Sequence, residues 1–145
     1  MQPTPKSPTA LFNPTAITLW SVAFSPLFGA WLHIHNWTAL GEPGKADAAR
    51  RWFNALLILT VFNGLVTAIA ERVAASVNPA HFISIGVFAL WYLLAAHPHT
   101  RAVKTRTGAR YTHRCWNGAL ATGALAGLVF HGYARITCAL LAWCT

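Results

Sequence analysis

Four stretches of this chain, residues 7–41, 52–70, 73–100 and 115–134, contain no Asp, Glu, Lys or Arg. A bilayer crossing takes ~20 predominantly apolar residues at a rise of ~1.5 Å each, and every one of these stretches can supply it. The chain is 55% hydrophobic and 10% charged, whereas roughly a quarter of a soluble domain is charged. The sequence therefore predicts an all-α membrane protein. Its four transmembrane helices are expected at about 14–35, 52–75, 79–97 and 116–143, in one domain over 1–145.

Local signals place the helix ends. Asn13-Pro14 and Asn78-Pro79 read as starts: Asn caps free amides, and Pro fits the first helical position because its missing N–H had no partner there. Pro26 falls inside the first helix. It removes a bond to the Val22 carbonyl and predicts a kink or break, with Ser25 beside it to satisfy freed backbone. Residues 36–51 and 99–114 read as polar loops, and residues 1–12, rich in Pro and Thr, as irregular. Cys115, Cys138 and Cys144 are odd in number and lack CxxC spacing, so no disulfide framework is implied.

Lysine and arginine total 11 against three acids. In a soluble protein that balance would suggest nucleic acid. Here eight of the 11 lie in two loops beside apolar helices: Lys45, Arg50 and Arg51 in one, and Arg101, Lys104, Arg106, Arg110 and Arg114 in the other. That placement implies contact with lipid headgroups and no nucleic acid. The positive-inside rule puts both loops in the cytoplasm and both termini outside.

The chain also reads as two tandem, parallel hairpin repeats. His33-Ile-His35 precedes Trp52 by the spacing at which His97-Pro-His99 precedes Trp116, and Arg50 matches Arg114. On the last helix Ala119, Gly123 and Gly127 form a small-residue row suited to close helix packing, which continues to His131 and Arg135. The second helix has its own polar row, Thr60, Gly64, Thr67 and Glu71. In the repeat Glu71 matches Arg135, which predicts an ion pair locking the two helices together near the outer face.

Seven histidines raise a haem or metal alternative. His33 and His97 are expected near the inner face and His81 and His131 near the outer, so either pair could supply axial ligands. Against it, His33 and His35, like His97 and His99, are two apart and diverge around a helix, and no CxxCH occurs. The pattern names no particular metal, and capping or snorkelling histidines account for it. Catalysis finds no support. Cys115 near His113 has no acid beside it, Glu42, Asp47 and Glu71 are far apart, and there is no nucleotide-binding glycine pattern.

The segment Ser25-Pro26-Leu27-Phe28-Gly29-Ala30-Trp31-Leu32, followed by Asn36 and Leu40-Gly41, resembles uncharacterised small bacterial multipass inner-membrane proteins that share a Ser-Pro/Gly-Ala helix running into Asn and Leu-Gly. The resemblance covers the first helix and its exit, and it implies a bacterial inner membrane. The resulting expectation is a non-enzymatic, cofactor-free membrane protein acting through protein contacts in the bilayer, as an accessory subunit or immunity-type protein. It would contact the lipid bilayer and a membrane protein partner or further copies of itself. A small oligomeric transporter is the remaining alternative, with Thr60, Asn63 and Gly64 as its polar path.

Overall fold

Prolines set where this chain starts its helices. The structure, a computed structural model, describes residues 9–73, 77–107 and 111–143, with positions 141 and 142 described in backbone only. Among the described residues four of five helices open on a proline: α1 (Pro14–Ala23), α2 (Pro26–Ala39), α3 (Pro43–Arg72) and α4 (Pro79–Thr107). The fifth, α5, is Asn117–Trp143. Asn13 Oδ1 accepts from the Thr15 amide at 3.0 Å, Ser25 Oγ from Phe28 at 3.3 Å and Asn78 Oδ1 from Ala80 at 3.0 Å. Each cap takes an amide that has no partner within its helix.

The expected first transmembrane helix is two helices that fold back on each other. Phe24 closes α1 by donating its amide to the Trp20 carbonyl at 2.9 Å, and Ser25 turns to an extended backbone and caps α2. Pro26 cannot carry the ladder across, so the break is complete. Pairings along the two arms then run in opposite directions. Ser21 lies beside Gly29, Ile17 packs with Phe28 and Leu32, and Phe12 meets Asn36. The arms are 10 and 14 residues, ~15 and ~21 Å long, and neither reaches across a ~30 Å hydrocarbon core. Three helices, α3, α4 and α5, are long and apolar enough to cross a membrane. The two halves of the chain therefore differ, a hairpin over residues 14–39 against one continuous helix over 79–107, and the repeat is not a repeat of structure. Leu90, which takes the place of Pro26 in that register, is what lets the second copy run on.

Two expected loops are largely helical. Only Leu40, Gly41 and Glu42 separate α2 from α3. Gly41 sits at φ +69° and donates its amide to Thr38 at 3.1 Å, while Glu42 donates to Trp37 at 3.0 Å. This is a Schellman end, with glycine in the left-handed region a side chain disfavours. The other, expected over 99–114, stays helical through Thr107, so Arg101, Lys104 and Arg106 ride on α4; Arg110 lies outside the described residues. Pro98 does not stop α4 because the helix widens just before it. Tyr92–Ala96 forms a π-turn in which the His97 amide bonds the Tyr92 carbonyl. A wider turn gives room for the proline ring and absorbs the missing N–H.

The start of the chain is also ordered where it was expected to be irregular. Strand β1 (Ala10–Leu11) pairs in parallel with β2 (Thr112–His113), and the Arg114 amide donates to the Leu11 carbonyl at 2.9 Å. Asn36, buried in α2, donates to the Phe12 carbonyl and accepts from the Phe12 amide, each at 2.9 Å. Residues 10–13 are therefore fixed at the end of the molecule where α2 finishes and α5 begins. Phe12, Ile17, Phe28, Leu32 and Ala119 form the core there, and Ala30, Leu56, Trp91 and Ala96 a second core between α2, α3 and α4.

Candidate functional site

The densest group of chemically capable side chains is a column of rings joining α2 to α4. Trp91 stacks on His33 at 5.5 Å between centroids, His33 stacks on His99 at 3.9 Å, and Trp37 sets its edge against His99 at 5.0 Å. Both histidines are 2% exposed. His33 Nε2, both ring nitrogens of His99 and Trp91 Nε1 are buried without a hydrogen-bond partner among the described residues. The π-turn builds the α4 side of this column. Trp91, Ala96, His99 and Val103 are its buried row, and the five-residue first step is one π-turn.

This arrangement changes the histidine assignments. His33 meets His99, whereas His97 is exposed beside the Tyr92 ring at 6.3 Å. Rings lying face to face at 3.9 Å leave no room for a macrocycle between them, and in-plane nitrogens of stacked rings do not converge on one iron. His81 and His131 are exposed on α4 and α5. Among the described residues no group of three or more His, Cys, Asp and Glu is placed to hold a metal ion. Reading α4 past Pro98 would have put His99 in register with Trp91, Ala95 and Val103; stopping the helix at His97 hid it.

Glu71 faces α5, as expected, but its partner is different. Cys138 Sγ donates to its carboxylate at 3.4 Å, and the described residues hold no Glu71–Arg135 ion pair. Cys138 lies three residues, nearly one turn, beyond Arg135. The small-residue row divides in the same way. A Cβ at Gly123 would lie 3.0 Å from the Phe28 ring, and Ala119 is buried, but nothing lies within 4 Å of one at Gly127. On the facing helix Gly64 admits Phe130 and Tyr133, each 3.3 Å from its Cβ position.

The polar row of α3 is spent on its own backbone. Thr60 donates to Leu56 at 2.7 Å and Thr67 to Asn63 at 2.9 Å, while Asn63 donates to Ser84 on α4 at 2.8 Å. The Asn63–Ser84 bond ties α3 to α4. At the other end, the acids gather three of the bases. Glu42 pairs with Arg106 and with Lys45, and Asp47 with Arg50. The Arg106 guanidinium bonded to Glu42 holds its carboxyl below the ordinary carboxylate range. Arg51, Arg101 and Lys104 remain exposed, and Arg114 lies over the Phe12 ring at 5.2 Å. No protein-family model matches this sequence, and neither a curated protein nor a solved structure matches it.

Proposed function

We propose that this chain is a multipass protein of a bacterial inner membrane that carries out no catalysis and acts through protein contacts within the bilayer, as an accessory subunit or an immunity-type protein. One observation carries the reading. In the apolar window of α5, 6% of the residues are buried, against 22% in α3 and 17% in α4. A helix with so few residues buried by its own chain leaves a broad apolar face open to neighbours.

The proposed orientation follows from the charges and the hairpin together. Arg51, Arg101, Lys104 and Arg114 cluster at the end where α3 begins and α4 finishes, and the positive-inside rule puts that end in the cytoplasm against anionic headgroups. Because α1 and α2 return to the end they start from, residues 9–13 share it. Three crossings then leave the end of α5 outside.

Photo-crosslinking in membranes of the producing bacterium tests the reading. A photoreactive residue in place of Leu128, which is 71% exposed, should give a discrete protein adduct. Lipid adducts alone, there and around the other faces of α5, would refute it.

A further inference from the structure

We infer that this chain is a wedge in the bilayer, wider in the leaflet at its basic end, and that it concentrates in membranes curved with that leaflet on the convex side. Its partner in this is the lipid surface itself. The inference goes beyond the protein-contact reading and needs only that α3, α4 and α5 cross the bilayer.

The extra width comes from the hairpin. At the basic end five helices lie side by side. One core joins α1 and α2 to the start of α5 through Ala119, and the other joins α2 to α3 and α4 through Leu56, Trp91 and Ala96. The hairpin tip stops partway. Phe24 and Phe28 lie against the Gly123 position of α5, and Gly29 lies against Trp91 of α4. Beyond that level α3 runs from Leu56 to Arg72, ~24 Å, α4 from Trp91 back to Pro79, ~18 Å, and α5 from Gly123 to Leu140, ~26 Å. Among the described residues that half holds these three helices, joined by Asn63 to Ser84 and by Gly64 to Phe130 and Tyr133. A helix with its side chains is ~10 Å across and fills ~80 Å² of a leaflet, so α1 and α2 add roughly 160 Å² on one side of the bilayer.

Two observations put the hairpin in hydrocarbon and not on the membrane surface. Residues 7–41 contain no Asp, Glu, Lys or Arg, and the outward side of α1 is apolar, with Leu19 73% and Val22 72% exposed. The tip also satisfies its own backbone, as hydrocarbon requires. Phe24 donates to the Trp20 carbonyl, Gly29 to the Ser25 carbonyl at 3.4 Å and Phe28 to Ser25 Oγ at 3.3 Å. An inclusion that adds area to one leaflet is accommodated most easily where that leaflet is already expanded, which is the convex side of a curved bilayer.

The test uses the full chain in giant phosphatidylcholine vesicles. These carry no net charge, so headgroup attraction does not draw the basic end. Narrow tethers are pulled from the vesicles. A dithionite-sensitive dye on Cys115, which is exposed at the basic end, reports density in the tether against the vesicle. External dithionite removes the signal of molecules whose basic end faces out, so the two orientations are read separately. Outward-facing molecules should be enriched about twofold or more in tethers of ~20 nm radius, and inward-facing molecules depleted by a similar factor. Leu19→Lys combined with Val22→Lys draws α1 out of the hydrocarbon at two exposed positions, and should bring both ratios to about one. Equal densities, the reverse preference, or enrichment of both orientations alike overturns the proposal. So does undiminished sorting by the double variant with its helicity intact. If the double variant loses helicity, the contrast between the parent's two orientations decides alone.

Discussion

Gly29 sits where α1, α2 and α4 come closest. A Cβ there would meet Ser21 Oγ and lie 2.6 Å from the Trp91 ring, which is itself fully buried. Neither neighbour can yield easily, because Ser21 is bonded to the Ile17 carbonyl at 2.7 Å and Trp91 is stacked on His33. Gly29→Ala should therefore destabilise by about 1–3 kcal/mol through overpacking. Gly86→Ala, with nothing within 4 Å, should be neutral or stabilising by up to ~1 kcal/mol. Thermal unfolding in detergent, followed by helicity, measures both. Asn36 makes a second test. Asn36→Leu strands the Phe12 amide and carbonyl together and should cost about 2 kcal/mol, with faster hydrogen exchange at Phe12. Composition hid Asn36, which reads as the start of a loop. Its role depends on a strand that reaches it from 24 residues away. Local spacing carries no trace of that contact.

Helices announced their starts more clearly than their directions. Asn13-Pro14 and Asn78-Pro79 were legible because caps and N1 prolines act within one turn. Ser25-Pro26 was legible as a break, yet a break leaves the next helix free to continue or reverse. Reversal is decided by packing of Ser21 on Gly29 and Ile17 on Leu32, which no local pattern reveals. Pro98 misled for the opposite reason, since a π-turn absorbs it and α4 runs on to Thr107. That extension brings Arg106 to Glu42, and so ties the end of α4 to the turn between α2 and α3. The tie has a definite pH dependence. The folded-state value of Glu42 is below its reference value of 4.5. Its contribution is therefore complete above 4.5 and is lost as pH falls through the lower folded value. Glu42→Gln should flatten the melting temperature over that acidic window and change little of its slope above it. A mutant whose acid sensitivity equals the parent's would place the titration elsewhere.

For the whole molecule, charge-free stretches marked three helices long and apolar enough to cross a membrane, and they also covered residues 14–39, where apolar sequence fills a hairpin. Hydropathy measures composition, and a hairpin packed against α3, α4 and the start of α5 has the composition of a span. The topologies predict opposite results. Reporter fusions ahead of residue 9 should be active in the cytoplasm, and fusions after Trp143 active outside. An external N-terminal reporter would restore a fourth crossing and reject the hairpin. The pairing of Leu11 with His113 has a further consequence, in time instead of space. Residues near the beginning of the chain leave the ribosome first, yet their partner strand is made only after α4 is complete. Until then the Leu11 carbonyl has no acceptor role to fill and α1 has no Ala119 to rest on. Contacts this distant in sequence form late and slowly. This early-made segment is thus fixed late, and arrest of synthesis before residue 112 should leave Ala10 and Leu11 unpaired while α2 is already packed against α3 and α4.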